Sequence, residues 1–323
     1  MCFFATWSKS MLFGLLTLVS AALCSAGAVQ GAETSPVELV KKSQRILFLG
    51  DSITASGQYV GLFDAWLVSN RWPQTPTVIN GGLASETVSG LSEDGHAGGK
   101  FPRPDLFERL DRVLPLVKPD LVFACYGINC GIYEPFDTER FAAYQQGWQK
   151  LQDKVKAAGA KLIIITPPFY DDLRSPKKFA YNDVLDRYSE WLVNQRAQGW
   201  IVIDLHSAMT AAVKKQRESD PKFTLQPDGV HPNGDGHWYM AQQLIAAMGD
   251  NEVTTAKSPQ DYFATRKLPA EALPLIQQRL NVLRDSYVGT AGHKRPGVAK
   301  GLPVDEANQK AAEISAKIAA LLK

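Results

Sequence analysis

The most constraining feature of this sequence is residues 46–52, where an apolar run, Ile-Leu-Phe-Leu, ends abruptly at Gly-Asp-Ser. Apolar residues without alternation predict a strand that is buried on both faces, as in parallel sheets. Gly50 allows a tight turn, which places Ser52 at the carboxyl end of the strand, where open α/β sheets bind ligands. A serine hydroxyl is a useful nucleophile only beside a general base. Taken alone, the turn is more simply interpreted as structural.

Length and charge bound the function class. The chain has 323 residues, 45% of them hydrophobic, which suits one large domain or two small ones. The net charge is +2 and no block of Lys and Arg stands out, so nucleic acid is not expected as a partner. Two of the four cysteines lie in the first 32 residues, and the remaining two, Cys125 and Cys130, do not indicate a disulfide scaffold. We expect Cys125 to be a buried thiol, and a bond between Cys125 and Cys130 is the alternative. The sequence contains no Cys-x-x-Cys pair, so structural zinc is not expected.

The N-terminus has the order of a secretory signal peptide. Lys9 precedes an apolar segment at residues 11–23, and small residues follow it. The apolar segment is too short to span a membrane comfortably, so we predict that residues 1–32 are removed and that the chain is secreted or periplasmic. A retained membrane helix, or lipid attachment at Cys24, is the alternative.

Apolar runs alternate with helical segments along most of the chain. Predicted strands cover residues 45–49, 76–80, 121–126, 161–166 and 200–205. Predicted helices cover residues 59–69, 106–116, 138–158 and 181–198. This alternation predicts parallel pairing through right-handed crossovers, and therefore a five-stranded, doubly wound sheet over residues 43–248.

The pattern changes after Gly249. Two helical stretches, at residues 269–287 and 304–322, flank a glycine-rich loop at residues 289–301. We interpret residues 249–323 as a helical extension packed on the domain. A lid that reaches the active site is the alternative, because the loop carries charged side chains.

Four segments that contain candidate catalytic residues lie at the carboxyl ends of predicted strands or in the loops that follow. They are Gly50-Asp51-Ser52, the loop from Asn80 to Thr87, Tyr126-Gly127-Ile128-Asn129, and Asp228-Gly229-Val230-His231. In this set and order the chain resembles the SGNH hydrolases, also called the GDSL esterase/lipase family, over residues 43–248. The resemblance implies a flavodoxin-like three-layer α/β sandwich and a serine esterase that needs no metal or cofactor.

The resemblance also implies a role for each residue, and the chemistry agrees. Ser52 would be the nucleophile, His231 the general base, and Asp228 the carboxylate that orients the imidazole. Asn129 would donate its side-chain N–H to the oxyanion, together with the backbone N–H groups of Ser52 and Ser85.

The sequence departs from the family pattern at two positions. Ser85 stands where the second block usually has glycine, so its backbone donor requires a permissible φ. Cys130 replaces the aspartate that usually follows Asn129, which puts the support of that loop in question. The strings at residues 83–93 and 101–104 look like a secreted bacterial branch of the family.

An acetylated carbohydrate is the first candidate substrate. Aromatic residues near the strand ends could stack on sugar rings or belong to the core: Tyr59, Tyr126, Tyr133, Phe169 and Tyr170. A lysophospholipase or a short-chain arylesterase is the alternative within the class.

Two alternatives come from other classes. Carboxylates and imidazoles could instead hold a hydrolytic metal, the candidates being Asp204, His206, Asp228, His231, Asp235 and His237. A non-catalytic carbohydrate-binding protein would account for Ser85 and Cys130. Outside the catalytic set, we expect His237 to be a surface residue near a helix start and His206 to bond a backbone carbonyl.

Overall fold

Five parallel strands form the centre of the molecule. The computed structural model describes Met1 and residues 35–175 and 177–323. The strands are β1 Arg45–Gly50, β2 Thr77–Asn80, β3 Leu121–Cys125, β4 Lys161–Ile165 and β5 Ile201–Ile203. Their order across the sheet is β2-β1-β3-β4-β5, with parallel pairing throughout. The predicted flavodoxin-like α/β fold is confirmed.

Helices surround this sheet. They are α1 Pro36–Lys42, α2 Ser52–Ala55, α3 Gln58–Ser69, α4 Leu110–Val117, α5 Thr138–Ala157, α6 Asn182–Asn194, α7 Leu205–Arg217, α8 Gly234–Ala247, α9 Pro259–Thr265, α10 Ala272–Ala291 and α11 Val304–Leu321. The sequence analysis anticipated α3, α5, α6, α10 and α11 and did not assign α7 or α8.

The central strands are buried because helices cover both of their faces. Every residue of β3 is buried, and so is all of β1 after Arg45. Phe48 of β1 is in register with Asn80 of β2 and Phe123 of β3, and the two phenylalanine rings stack with centroids 4.8 Å apart. This register brings the carboxyl ends of β1, β2 and β3 to one edge of the sheet, so the loops that follow them meet.

Two predicted boundaries are wrong for identifiable reasons. The fifth strand ends at Ile203, because the Asp204 carboxylate accepts a hydrogen bond from the Ser207 backbone N–H at 3.1 Å and so caps α7. The predicted helix at residues 106–116 is divided into a 3₁₀ turn, Leu106–Glu108, and α4. The division falls at Arg109, whose side chain is drawn into the core.

The C-terminal helices pack against the sheet edge formed by β2. Helix α10 contacts α3, α4 and β2, and α11 packs on α10. The Arg279 guanidinium donates to both oxygens of the buried Asp64 carboxylate, at 2.8 and 2.9 Å. Arg284 Nη1 donates to the Ala55 carbonyl oxygen at 2.9 Å. One helix of the extension is therefore bonded directly to the short helix that begins with Ser52.

The predicted signal peptide at residues 1–32 lies outside the described residues, apart from Met1. Among the residues that are described, no helix is both long and apolar enough to cross a membrane.

Candidate functional site

Ser52 begins α2 directly after β1. The buried Asp51 side chain accepts a hydrogen bond from the Ile53 backbone N–H at 3.0 Å and caps this short helix. Gly50 is required by close packing, since a Cβ there would lie 2.1 Å from Thr54 Oγ1 and 2.9 Å from the Cys125 carbonyl oxygen. The turn therefore holds the Ser52 hydroxyl at the carboxyl edge of the sheet, where its side chain is partly exposed.

Asp228 and His231 form a compact hydrogen-bonded turn opposite Ser52. His231 Nε2 lies 2.9 Å from Ser52 Oγ, and His231 Nδ1 lies 2.7 Å from Asp228 Oδ2. The other carboxylate oxygen accepts backbone N–H bonds from Val230 at 2.9 Å and from His231 at 2.7 Å. The three predicted residues are thus assembled into a continuous serine, imidazole and carboxylate chain.

Ser85 and Asn129 lie in the loops after β2 and β3. Ser85 has φ 68°, a left-handed conformation that glycine adopts more easily than serine. Asn129 is only 4% exposed, and its Nδ2 lies 3.4 Å from the Glu86 carbonyl oxygen, which makes that hydrogen bond long. Within the described residues, the Ser52 and Ser85 backbone N–H groups donate to no backbone carbonyl oxygen.

A buried ion pair supports the loop that carries Ser85. Arg109 donates to both oxygens of the Glu86 carboxylate, at 2.6 and 2.7 Å, and to the Gly81 carbonyl oxygen at 2.7 Å. The Tyr126 hydroxyl donates to the same carboxylate at 2.6 Å. Because Glu86 and Arg109 are almost fully buried, each would be costly to leave unpaired, and the pair fixes how this loop folds.

The electrostatic environments of the carboxylates near Ser52 differ. Burial raises the pKa of Asp51 to about 7, although the Ile53 N–H bond opposes this rise. Partial burial would also raise the pKa of Asp228, but hydrogen bonds from the His231 side chain, the His231 backbone and Val230 outweigh it, and the net pKa is lowered. Asp228 is thus kept ionised beside the imidazole.

The structure corrects the expectation for His237. It is 3% exposed, its ring is parallel to that of Tyr59 with centroids 6.2 Å apart, and its Nε2 lies 3.3 Å from Ser56 Oγ. Burial and the nearby His231 lower the pKa of His237 to about 4. The expectation of a surface histidine was wrong because α8 turns this face of its first turn toward α3.

Two other residues considered as metal ligands have structural roles of their own. His206 is buried and bonds Asp186 Oδ1 at 2.6 Å through Nε2, not a backbone carbonyl. The Asp204 carboxylate accepts the Ser207 N–H and caps α7. In the part of the chain that the structure describes, no group of three or more His, Cys, Asp or Glu residues could hold a metal ion.

Cys125 and Cys130 are both buried and are not joined by a disulfide. Four of the five aromatic candidates for sugar stacking are core residues, each at most 7% exposed: Tyr59, Tyr126, Phe169 and Tyr170. Tyr133 is partly exposed, but its ring already packs on Tyr181 and on Arg103.

Sequence reasoning missed the polar network around Asn129. Arg103 Nη1 donates to Asn129 Oδ1 at 2.9 Å, and the rest of its guanidinium binds Glu93. The only sequence signal is an arginine between two prolines at residues 102–104, which indicates a fixed backbone and not a partner. The loop after α10 comes close to the same region, since the Arg295 guanidinium lies 5.6 Å from the Phe101 ring centroid.

Residues 48–239 match the model of the GDSL-like lipase/acylhydrolase family, which is more than half of the chain. No curated protein matches the sequence significantly.

Three solved structures are similar to part of this chain. An acetyl xylan esterase superposes with a TM-score of 0.50 at 19% identity over 63% of this chain and 98% of that one. An acetylxylan esterase from Geobacillus stearothermophilus gives 0.48 at 22% identity, over 64% and 94%. A gut microbial diltiazem-metabolizing enzyme gives 0.49 at 24% identity over 64% of this chain, which spans about half (47%) of that enzyme.

Proposed function

Because the chain belongs to the GDSL-like lipase/acylhydrolase family, we propose that this ester hydrolase works through Ser52, His231 and Asp228 and acts on acetyl esters of carbohydrates. The continuous chain of hydrogen bonds from Ser52 Oγ through His231 to Asp228, at 2.9 and 2.7 Å, carries the proposal. Nucleophile and base within hydrogen-bond reach, with a third group orienting the base, is the arrangement that activates a serine.

In the proposed mechanism, His231 Nε2 takes the Ser52 proton as Oγ attacks the ester carbonyl carbon. The resulting tetrahedral oxyanion accepts hydrogen bonds from the backbone N–H groups of Ser52 and Ser85 and from Asn129 Nδ2. The imidazolium, stabilised by Asp228, then protonates the leaving alcohol and an acyl-Ser52 ester remains. Water, deprotonated by His231, attacks this ester and releases the acid and free Ser52.

The exposure of the site supports a bulky alcohol. The side chains of His231 and Asp228 are 52% and 57% exposed, so the leaving-group side of the serine opens to solvent. A carbohydrate chain can approach such a surface without entering a tunnel. A site for long acyl chains would instead need an enclosed apolar cavity.

A cavity bordered by Leu83 and Arg103 favours sugar over lipid. It has a volume of about 290 Å³ and is lined by Leu83, Pro102, Arg103, Pro104, Asp105, Glu108 and Lys294. Arg103 borders both this cavity and Asn129. Charged side chains bind hydroxyl groups well, whereas burying them against an acyl chain would cost free energy. The acetyl xylan esterase that superposes with a TM-score of 0.50 supports the same substrate class.

The test compares substrates and variants. We expect the highest kcat/KM on acetylated xylo-oligosaccharides, lower values on p-nitrophenyl acetate, and a steep fall for p-nitrophenyl octanoate and lysophosphatidylcholine. Ser52→Ala should remove nearly all of these activities and abolish labelling by a phosphonate. Ser56→Ala, one helical turn away, is the matched control and should remain active. Full activity of Ser52→Ala would contradict the mechanism, and a preference for lysophosphatidylcholine would contradict the substrate class.

A further inference from the structure

The carboxamide of Asn129 receives two hydrogen bonds on its oxygen. Arg103 Nη1 donates at 2.9 Å and the Tyr133 hydroxyl donates at 3.0 Å. Both partners are donors, so the oxygen of the amide must face them and Nδ2 must face the opposite way. The orientation of the amide is therefore determined by its surroundings and not by Asn129 alone.

Arg103 is itself held on several sides. Its Nε and Nη2 atoms both donate to the Glu93 carboxylate at 2.6 Å, and its guanidinium lies 5.1 Å from the centroid of the Tyr133 ring. The whole residue is 8% exposed. A planar guanidinium bound by such a fork has little freedom to rotate, so the third nitrogen has a fixed direction.

The backbone that carries Arg103 is tied to the Ser85 loop. The Arg103 N–H donates to Ser92 Oγ at 2.9 Å. The carbonyl oxygen of Pro104 accepts the Thr87 N–H at 2.9 Å, and Thr87 lies two residues after Ser85. One segment therefore connects the loops that carry two of the proposed oxyanion donors.

We propose that Arg103 is a positioning residue for the hydrolysis, which fixes the Asn129 amide with Nδ2 directed at the oxyanion. The inference rests on the proposed function, because it assigns Arg103 a role only through Asn129. It also accounts for the departure at Cys130. In the family pattern, the aspartate that follows the asparagine is expected to support this loop. Here Arg103 and Tyr133 donate to Asn129 instead.

The first test is the kinetics of Arg103→Met with p-nitrophenyl acetate, measured per site titrated by the phosphonate. Misplacing a reacting group by about 1 Å can cost 10²-fold, so we expect kcat to fall by about 10- to 100-fold with little change in KM. Arg103→Lys should recover part of this loss, because an ammonium can donate to Asn129 Oδ1 but cannot form the fork with Glu93.

Arg279→Gln is the matched control, since it also removes an arginine that donates to both oxygens of one carboxylate, but on α10. It should lower stability and leave kcat per titrated site unchanged. If Arg103 had only a structural role, Arg103→Met would behave like this control and the proposal would be overturned.

The second test is a double-mutant cycle with Asn129→Ala. Without the Asn129 amide there is nothing for Arg103 to orient, so Arg103→Met should cost little more than Asn129→Ala alone. Losses that multiply fully would mean that Arg103 acts independently of Asn129, which would overturn the proposal. If Arg103→Met does not fold, Tyr133→Phe, which removes only the second donor, repeats both measurements with a smaller expected loss.

The Ser52→Ala control separates the two proposals. Activity that survives Ser52→Ala contradicts the proposed function. Activity that is lost in Ser52→Ala but unchanged in both Arg103→Met and Tyr133→Phe contradicts only the role of Arg103.

Discussion

The two sides of the site around Ser52 are built in opposite ways. On one side, Asp228 and His231 are more than half exposed, and three hydrogen bonds hold them within a single four-residue turn. On the other, Asn129 is 4% exposed and is held by Arg103, which lies 26 residues away in the sequence. The acid–base side is local and open, whereas the oxyanion side is buried and depends on several loops. The first should tolerate substitution without loss of stability, and the second should not.

The largest expected effect is that of His231→Ala. Loss of the base should lower kcat by about 10⁶-fold, as in other serine hydrolases whose base is removed. The urea midpoint should stay unchanged, because the side chain is 52% exposed. Since the site is open, added imidazole should restore part of the activity. A variant that keeps substantial activity, or that unfolds, would contradict the picture of an exposed acid–base side.

Asp228→Asn should follow, with a loss of about 10⁴-fold in kcat, because a neutral amide neither stabilises the imidazolium nor fixes its tautomer. Asp235→Asn, an exposed carboxylate in the first turn of α8, is the control and should be active. If Asp228→Asn proved less active than His231→Ala, the roles of the two residues would need to be exchanged.

Asn129→Ala should lower kcat by about 10²–10³-fold with little effect on KM, which corresponds to roughly 2.7–4 kcal/mol of transition-state stabilisation. Unlike the first two variants, it should also lower the urea midpoint, because the donors of Arg103 and Tyr133 lose their acceptor in a buried place. A urea midpoint equal to that of the wild type would contradict the proposed difference between the acid–base side and the oxyanion side.

Asp51→Asn tests the buried carboxyl group that caps α2. Burial raises the pKa of Asp51 to about 7, so the folded protein binds a proton that the unfolded chain has already released. Wild-type stability should therefore fall as the pH rises from about 4 through 7. Relative to Asp51→Asn, which keeps the cap and cannot ionise, we expect a loss on the order of 3 kcal/mol across this window.

Urea denaturation of both proteins at pH 4.5 and pH 8 measures this difference. Asp137→Asn, which alters the partly exposed cap of α5, is the control and should follow the wild type. Parallel stability curves for wild type and Asp51→Asn would contradict a neutral Asp51 in the folded protein.

The smallest effect is that of Ser85→Gly. The left-handed backbone of Ser85 at φ 68° costs roughly 1 kcal/mol, so glycine should raise the free energy of unfolding by about that amount or less. Because the proposed donor is a backbone N–H, kcat should change little in Ser85→Gly and in Ser85→Ala. Losses in both variants as large as that of Asn129→Ala would mean that the Ser85 hydroxyl takes part in the chemistry.

Much of this architecture is predictable from sequence because its signals are local. The unbroken apolar run before Ser52 predicts a buried parallel strand, and the structure places it at the centre of the sheet. Asp228 and His231 are three residues apart, so one turn can bond them whatever else the chain does. The order of the four motifs predicts the family, which the match over residues 48–239 confirms.

Only the tertiary structure decided the other contacts, since these join residues far apart in sequence through loops with no regular period. Arg103 reaches Asn129 across 26 residues, and Arg109 reaches Glu86 across 23. The sequence alone predicts that His237 lies on the surface, but α8 packs on α3 and His237 is buried. A hydrogen bond within one turn is set by the backbone dihedral angles of a few residues, and sequence encodes those directly. A hydrogen bond between loops exists only after the strands that carry them have been brought into register, and no short segment of this chain specifies that register.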